Sequence, residues 1–425
     1  MMKNCIPAII ALTLSGLYSI VDGLFIGYAS SDIGLAAINI AWPVPALFTA
    51  VGLGIGTGGS ILYSAELGRG RRQQETVVLQ TAIKTGWYAA ILLGLCLWCF
   101  CKPFMWQLGA AGEVHRQAVM YCRIIIVGGV FQITGAAIVP IMRNLDKPIQ
   151  AMAAMSCGML TNLVLNAILI LVFGLGILGA AIGTIVAQAV VMVIGMVWLR
   201  KTGLHILGEC AGGKDCLRIV WTGFPAFGIS LTPTIALMLT NWLCMQLGGS
   251  AAVAAYAVVS YLVFPVQSLL QGVGDGLQPL MSFYYGANAE ADLRRLQKGA
   301  FFFLGILSIG LFGIGMLCSR YLGQWFGLSE EAKVLCEEGV RISAIVFLFH
   351  GYNRFLTASL NAAMKVRSAA MMICMECLVV SPLLLLCMAK AFGMQGIWWS
   401  LPMTGICMLL VYSAIKNIGE KKYVS

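Results

Sequence analysis

Apolar stretches of about 20 residues follow one another from Ile6 to Ile415, and each is long enough, as a helix, to cross a hydrocarbon core about 30 Å thick. No other feature of the chain constrains its fold so strongly. Inside lipid the backbone must satisfy its own N–H and C=O groups, which leaves helices or closed barrels. A barrel wall alternates apolar and polar residues, and that alternation is absent, so the spans read as helices. Twelve segments are expected, near 6–28, 36–64, 80–101, 118–142, 151–173, 178–199, 218–246, 252–284, 299–319, 338–362, 369–389 and 394–415. The second and eighth are long for one crossing, which suggests tilt or an extension beyond the bilayer.

Composition agrees. The chain is 60% hydrophobic and 10% charged, with a mean hydropathy of +0.89, whereas a soluble domain carries about 25% charged residues. With the N-terminus inside the cell, nineteen of the 27 Lys and Arg fall on the inner side of the membrane. Five (Lys102, Arg116, Arg320, Lys333 and Lys390) fall outside, and Arg123, Arg341 and Arg354 fall within helices. This asymmetry follows the positive-inside rule and supports both the even number of spans and an orientation with both termini in the cytoplasm. The net charge of +10 is then a mark of topology and calls for no nucleic-acid partner. The first segment is too long for the core of a cleavable leader and reads as a span. The 15 cysteines are scattered through apolar segments, and the CxxC pairs Cys96–Cys99 and Cys374–Cys377 lack the further ligands of a zinc site. They read as packing thiols, and neither metal nor cofactor is expected.

The chain also resembles itself. At an offset of 218, Ala36 and Ala37 overlie Ala254 and Ala255, Gly54 and Gly56 overlie Gly272 and Gly274, Gly68 overlies Gly286, and Arg123 overlies Arg341. One residue of slip then puts Gly176 and Gly179 on Gly393 and Gly396. Six spans per half make these parallel repeats, related by an axis along the membrane normal. The expected division is an N-terminal six-helix lobe over 1–199, a basic cytoplasmic linker over 200–217, and a C-terminal six-helix lobe over 218–425. Glycines in GLGIGTGGS (52–60) and GVGDG (272–276) are spaced to let helix backbones approach closely.

Polar residues inside a span are costly and turn toward a bundle's interior. Ser15, Ser19 and Asp22 share a stripe of the first span. Asn39 adds an amide in the second; Asn162 and Asn166 lie four apart in the fifth, and Thr184 and Gln188 in the sixth. In the C-terminal half Ser230, Thr234 and Asn241 share a face, and Gln267, Gln271, Asp275 and Gln278 form a stripe. Asn353 and Arg354 lie in the tenth span and Glu376 in the eleventh; the arginine can pair with Asp275 or with Glu376. Asp22 is the acid with most at stake. Holding a carboxyl group of ordinary pKa about 3.9 neutral at pH 7 costs about 4 kcal/mol. Inserting it charged at a helix centre costs about 2.5–3.5 kcal/mol. The penalties are comparable, so a proton and another cation can compete for that side chain. The bland reading, a carboxyl that ties helices together through Ser and Asn neighbours, stands beside it.

YSIVDGLFIG (18–27), LAAINIAWP (35–43), GLGIGTGGSILYSAELGRGR (52–71) and GLQPLMSFYYGAN (276–288) resemble the MATE (multidrug and toxic compound extrusion) transporters, particularly their MepA-like bacterial branch. The likeness runs over essentially the whole chain. It implies an all-α integral membrane protein of twelve helices in two six-helix bundles. It also implies an antiporter that expels small, cationic amphipathic compounds in exchange for protons or sodium ions, with no other cofactor, working as a monomer among membrane lipids. On that resemblance Asp22 is the cation-coupling acid (and a possible sodium ligand), accompanied by Asn162, Asn166 and Thr184. The family usually has an acid at the second of the two fifth-span positions, where this chain has Asn166. Near Ser230 many relatives carry a Glu, and Asp275 stands where Gln is usual. Fewer acids weaken the case for sodium. The polar residues proposed to face substrate are Asn39, Gln188, Asn241, Gln271, Asp275 and Asn353.

Two other classes compete. A lipid-linked oligosaccharide or lipid flippase of the same wider superfamily needs a cationic cavity for pyrophosphate, and only three arginines are intramembrane. A membrane enzyme or receptor lacks support: no HExxH, paired catalytic carboxylates or Ser/His arrangement is present. His115 and His205 fall in expected loops, and His350 stands isolated in its span.

Overall fold

The computed structural model describes residues 6–14, 37–38, 40–70, 72–202, 212–326 and 328–421, with the backbone alone at 72–75, 250 and 416–421. Asp22, Asn39, Ser15, Ser19 and His205 lie outside the described residues. The described residues are helical apart from short joints, and none of them is in a strand. In chain order the helices are α1 (6–14), α2 (Pro43–Gly68), α3 (Arg72–Gln107), α4 (Gly112–Val127), α5 (Gly129–Asn144) and α6 (Pro148–Asn166, continued by a π turn, Ala167–Val172). Then come α7 (Gly176–Lys201), α8 (Gly213–Gly249), α9 (Ala251–Gly286), α10 (Glu290–Trp325) and α11 (Glu330–Ser343). A 3-10 turn, Ala344–Val346, leads into α12 (Phe347–Ala362), followed by α13 (Val366–Cys374), a π turn Met375–Val380, and α14 (Ser381–Lys421).

Where they are described, all twelve expected segments fall on helix. Among the described residues eight helices are long and apolar enough to cross a membrane. One of them, Val366–Ile415, carries two expected spans, bent where Gly393 takes φ 60°. The fourth span is not one straight helix. Its halves α4 and α5 meet at 58° at Gly128 (φ −80°, ψ 0°), where an added side chain would strike Ile185. The tenth span breaks at its 3-10 turn, 218 residues after that bend. His115 lies on α4, which starts before the apolar pattern does; its Nε2 is 3.0 Å from the Lys102 carbonyl oxygen.

Backbone shape repeats as the sequence does. Left-handed residues recur at the same offset: Gly70 (φ 76°) and Asn288 (φ 54°), then Asp146 (φ 56°) and Met364 (φ 57°). Gly176 and Gly393, matched with one residue of slip, have φ 50° and 60°.

The chain divides into two compact units, one of Leu17–Leu231 and the other of Met1–Gly16 with Thr232–Ser425. In the first, α2 packs on α5 backbone to backbone, since a methyl added at Gly56 would collide with the Ala137 main chain. Small residues govern such contacts because lipid supplies no hydrophobic drive between helices. The amino-terminal part of α8 belongs to this unit and seats Phe227 against Gly54; a methyl there would lie 3.0 Å from Phe227 Cβ. In the second unit the mirror contact is made by α1, where Ile9 Cα would be 2.8 Å from a methyl on Gly272. Residues 9 and 227 are themselves 218 apart. The core of the second unit gathers Leu270, Leu277, Leu304, Phe347, Phe355 and Trp398. Leu92 on α3 and Leu317 on α10 are exposed, as lipid-facing side chains must be.

Candidate functional site

Two polar clusters interrupt these apolar interiors. In the N-terminal unit Asn162 and Asn166 lie on one face of α6, a turn apart. Asn166 Nδ2 donates to Asn162 Oδ1 at 2.7 Å, Asn162 Nδ2 donates to Thr184 Oγ1 at 3.4 Å, and Thr184 Oγ1 donates to the Ala180 carbonyl at 2.9 Å. Both asparagines are buried. Gly183 on α7 makes the approach possible, because a side chain there would run into the Asn166 amide. The π turn that follows Asn166 is a helical irregularity frequent at functional sites. Gln188, one turn beyond Thr184, is partly buried, with its Oε1 against Gly135 of α5. Four-residue spacing anticipates the contact of Asn162 with Asn166; the contact with Thr184 is made between helices.

The C-terminal unit holds a charged centre. Arg354 on α12 donates from Nη1 to Glu376 Oε2 at 3.1 Å and from Nη2 to Oε1 at 2.8 Å, a two-pronged pair with side chains 6% and 15% exposed. Of the two acids open to it in the sequence, Glu376 is the partner. Charge-assisted, paired bonds of this kind are the strong ones, and removing one member of a buried pair costs about 3–5 kcal/mol because the other charge is stranded. Asn353 Nδ2 donates to the Gly405 carbonyl at 2.8 Å. These residues line a chamber of about 80 Å³, with His350, Gln267 and hydroxyls that include Thr232, Ser260 and Thr404.

Of the residues expected to face substrate in this half, Asn353 is in the chamber wall; Asn241, Gln271 and Asp275, all partly buried, are not among its lining residues. His350 is the wall residue that sequence reasoning left isolated. Its signal was its position one helical turn before Arg354. The other intramembrane arginines are engaged elsewhere: Arg123 lies 5.3 Å from the Trp98 ring centre, and Arg341 pairs with Glu337 at 2.6 Å. Among the described residues no three His, Cys, Asp or Glu side chains gather as metal ligands do.

The repeat and the clusters can now be set beside known proteins. The MatE family model matches this chain twice, over residues 7–168 and again over 225–386, the same 218 residues apart. The chain belongs to the MatE family. The multidrug export protein MepA of Staphylococcus aureus (strain NCTC 8325 / PS 47) is 24% identical over 425 residues, covering 97% of this chain and 93% of its own. MepA of Staphylococcus saprophyticus is 26% identical with the same coverage. In fold the MatE chain is similar to a MATE protein crystallised in complex with MaL6, with a TM-score of 0.90 at 19% identity over 98% and 96% of the two chains. It is similar too to the bent form of the Vibrio cholerae MATE transporter VcmN, with a TM-score of 0.85 at 21% identity over 97% and 95%. As a MatE protein the chain is an all-α integral membrane protein of two repeated six-helix bundles.

Proposed function

We propose that this protein is a secondary antiporter of the bacterial plasma membrane, exporting small cationic amphipathic compounds by alternating access in exchange for protons. Sodium is the alternative coupling ion. Both termini lie in the cytoplasm, and the lobes 1–199 and 218–425, joined by the linker 200–217, are the two moving halves. The observation that carries the reading is the buried chain of hydrogen bonds from Asn166 through Asn162 to Thr184. These are neutral groups that can reorient their donors and acceptors around an acid without themselves taking a proton. Asp22 supplies that acid. With amides at 162 and 166, the set has one titrating group and too little negative charge to favour a hard cation such as sodium.

Substrate is assigned to Asn39, Gln188, Asn241, Gln271, Asp275 and Asn353, and the carrier works as a monomer. Multidrug export by the two MepA relatives supports the cargo class. The engagement of Arg123, Arg341 and Arg354 with Trp98, Glu337 and Glu376 leaves them poorly placed to hold a pyrophosphate, which disfavours the lipid flippase.

The test is uptake of cationic dyes into inverted vesicles, first under a pH gradient and then under a sodium gradient. A pH gradient alone should drive accumulation, and Asp22→Asn should abolish dye-driven proton release while leaving protein abundance unchanged. Coupling at the wild-type level in that variant overturns the assignment of Asp22.

A further inference from the structure

The repeat gives the second unit an acid that the first lacks. There Glu337 serves two basic residues: Arg341 Nη2 lies 2.6 Å from its Oε1, and Arg320 Nε lies 3.9 Å from the same atom. Counting back 218 residues gives Arg123 for Arg341 and Lys102 for Arg320, so both cations are kept, but Val119 stands where the acid would be. Among the described residues no carboxylate pairs with Arg123 or Lys102. The Arg123 guanidinium instead lies over the Trp98 ring, 5.3 Å from its centre. An aromatic face attracts that charge without neutralising it.

These side chains are on the surface of the bundle. Arg123, Lys102 and Trp98 are all exposed, and Lys102 follows Trp98 by four residues on α3, so the two share a face. Arg123 is six residues past Gln117, the last charged or amide residue before it on α4, or about 9 Å further along the helix axis. A cation that faces lipid at that depth is costly unless it reaches a polar partner, and its long stem lets it reach toward the headgroups. Beside the bend at Gly128 an open groove of about 260 Å³ is lined by Trp98, Arg123, Ile124, Val127 and Ile185, so its wall is apolar except for the arginine. A guanidinium over an apolar groove matches the two ends of a phospholipid: the fork takes the phosphate, and the groove seats an acyl chain. Trp98 is of the kind that settles at the level of the headgroups. Lys102 decides the headgroup, because a second cation repels the ammonium of a zwitterionic lipid and favours a head of net negative charge.

We propose that Lys102, Arg123 and the groove beside them bind one anionic phospholipid, whose phosphate does for these two cations what the Glu337 carboxylate does in the second unit. The lipid lies against the outside of the bundle, as a resident of the surface and not as cargo. On the orientation proposed above it belongs to the outer leaflet, and only that placement depends on the export reading.

Full-length protein in detergent is titrated with phosphatidylglycerol and with phosphatidylcholine of the same acyl chains, and bound lipids are counted by native mass spectrometry. The first phosphatidylglycerol is expected to bind about tenfold tighter than the first phosphatidylcholine. Arg123→Gln, at an exposed position that the fold does not need, should cut that preference to about twofold or less. Val119→Glu, which supplies the internal acid with every cation in place, should cut it as well. Arg367→Gln, which removes an exposed cation of α13 in the other unit, should leave it intact. Equal affinities for the two lipids in the unaltered protein overturn the proposal without recourse to any variant. So does an equal loss in Arg123→Gln and Arg367→Gln, which would mean general attraction to a basic protein. Displacement of the bound lipid by glycerol phosphate overturns it too, since the site would then be one for a free phosphate. The measurement needs no transport: if dye export stands while the lipids bind alike, only the lipid site falls, and if the preference stands while export fails, only the export reading falls.

Discussion

Residues 218 apart occupy matching turns of the two bundles, yet Gly135, Ala136 and Gly158 in the first stand where Asn353, Arg354 and Glu376 stand in the second. In the first, Gly158 is closed over by Val191 and Ala187 of α7, and Gly135 by Gln188. In the second, the same positions carry the ion pair and open a chamber. A fourth pair makes the point again. Gln132 donates from Nε2 to the Pro45 carbonyl at 2.9 Å and to Thr49 Oγ1 at 3.0 Å; its counterpart His350 borders the chamber along with Val263 and Gln267, the counterparts of Pro45 and Thr49. One backbone plan thus serves a centre of neutral amides and a centre of opposed charges. The choice is made by a few side chains, because the helix crossings are set by small residues elsewhere.

That comparison can be broken at several places. The largest effect is expected at the ion pair: Arg354→Met, which strands Glu376, should lower stability by about 3–5 kcal/mol. Adding Glu376→Leu should recover most of the loss, both read by unfolding in detergent mixtures. A single variant as stable as the parent would show the pair to be solvated. Next come the matched glycines. Gly56→Ala drives a methyl into the Ala137 backbone and should cost about 1–3 kcal/mol. At Gly274 the nearest atom to an added methyl, Ala358 Cβ, is 3.4 Å away, so Gly274→Ala should stabilise by up to about 1 kcal/mol through its better helix propensity. Equal effects at the two sites would mean that the bundles pack alike there. Asn162→Ala removes two hydrogen bonds of the amide cluster; at an average of about 0.6 kcal/mol for each membrane hydrogen bond it should cost about 1 kcal/mol, well below the ion pair. Its fold should survive while proton coupling is lost.

How much of this was legible beforehand follows from what each feature depends on. Span positions rest on local composition, and the repeat rests on glycines that backbone contact requires at Gly54 and Gly272, so both could be read directly. The bend at Gly128 could not, since hydropathy runs on unbroken through Ile124–Val130, and Ile185, the side chain that leaves room only for glycine there, lies on another helix. The amides at 162 and 166 and the hydroxyl at 184 were legible because two lie on one helix and their partner on the next. The chamber was not, because its wall is assembled from residues of α8, α9, α12 and α14 and the π turn at Glu376, and His350 has meaning only beside them. Asp22 and Asn39, on which the coupling proposal leans, lie outside the described residues, so for them the sequence remains the source.

The left-handed residues Asp146 and Met364 sit in joints of three residues, 145–147 and 363–365, each of which turns the chain around for the next crossing. Neither joint has slack to absorb an added residue, so the aim of the following helix is tied to one dihedral angle. An epitope or fluorescent tag spliced there would re-point α6 or α13, carrying the amide cluster or Glu376 with it.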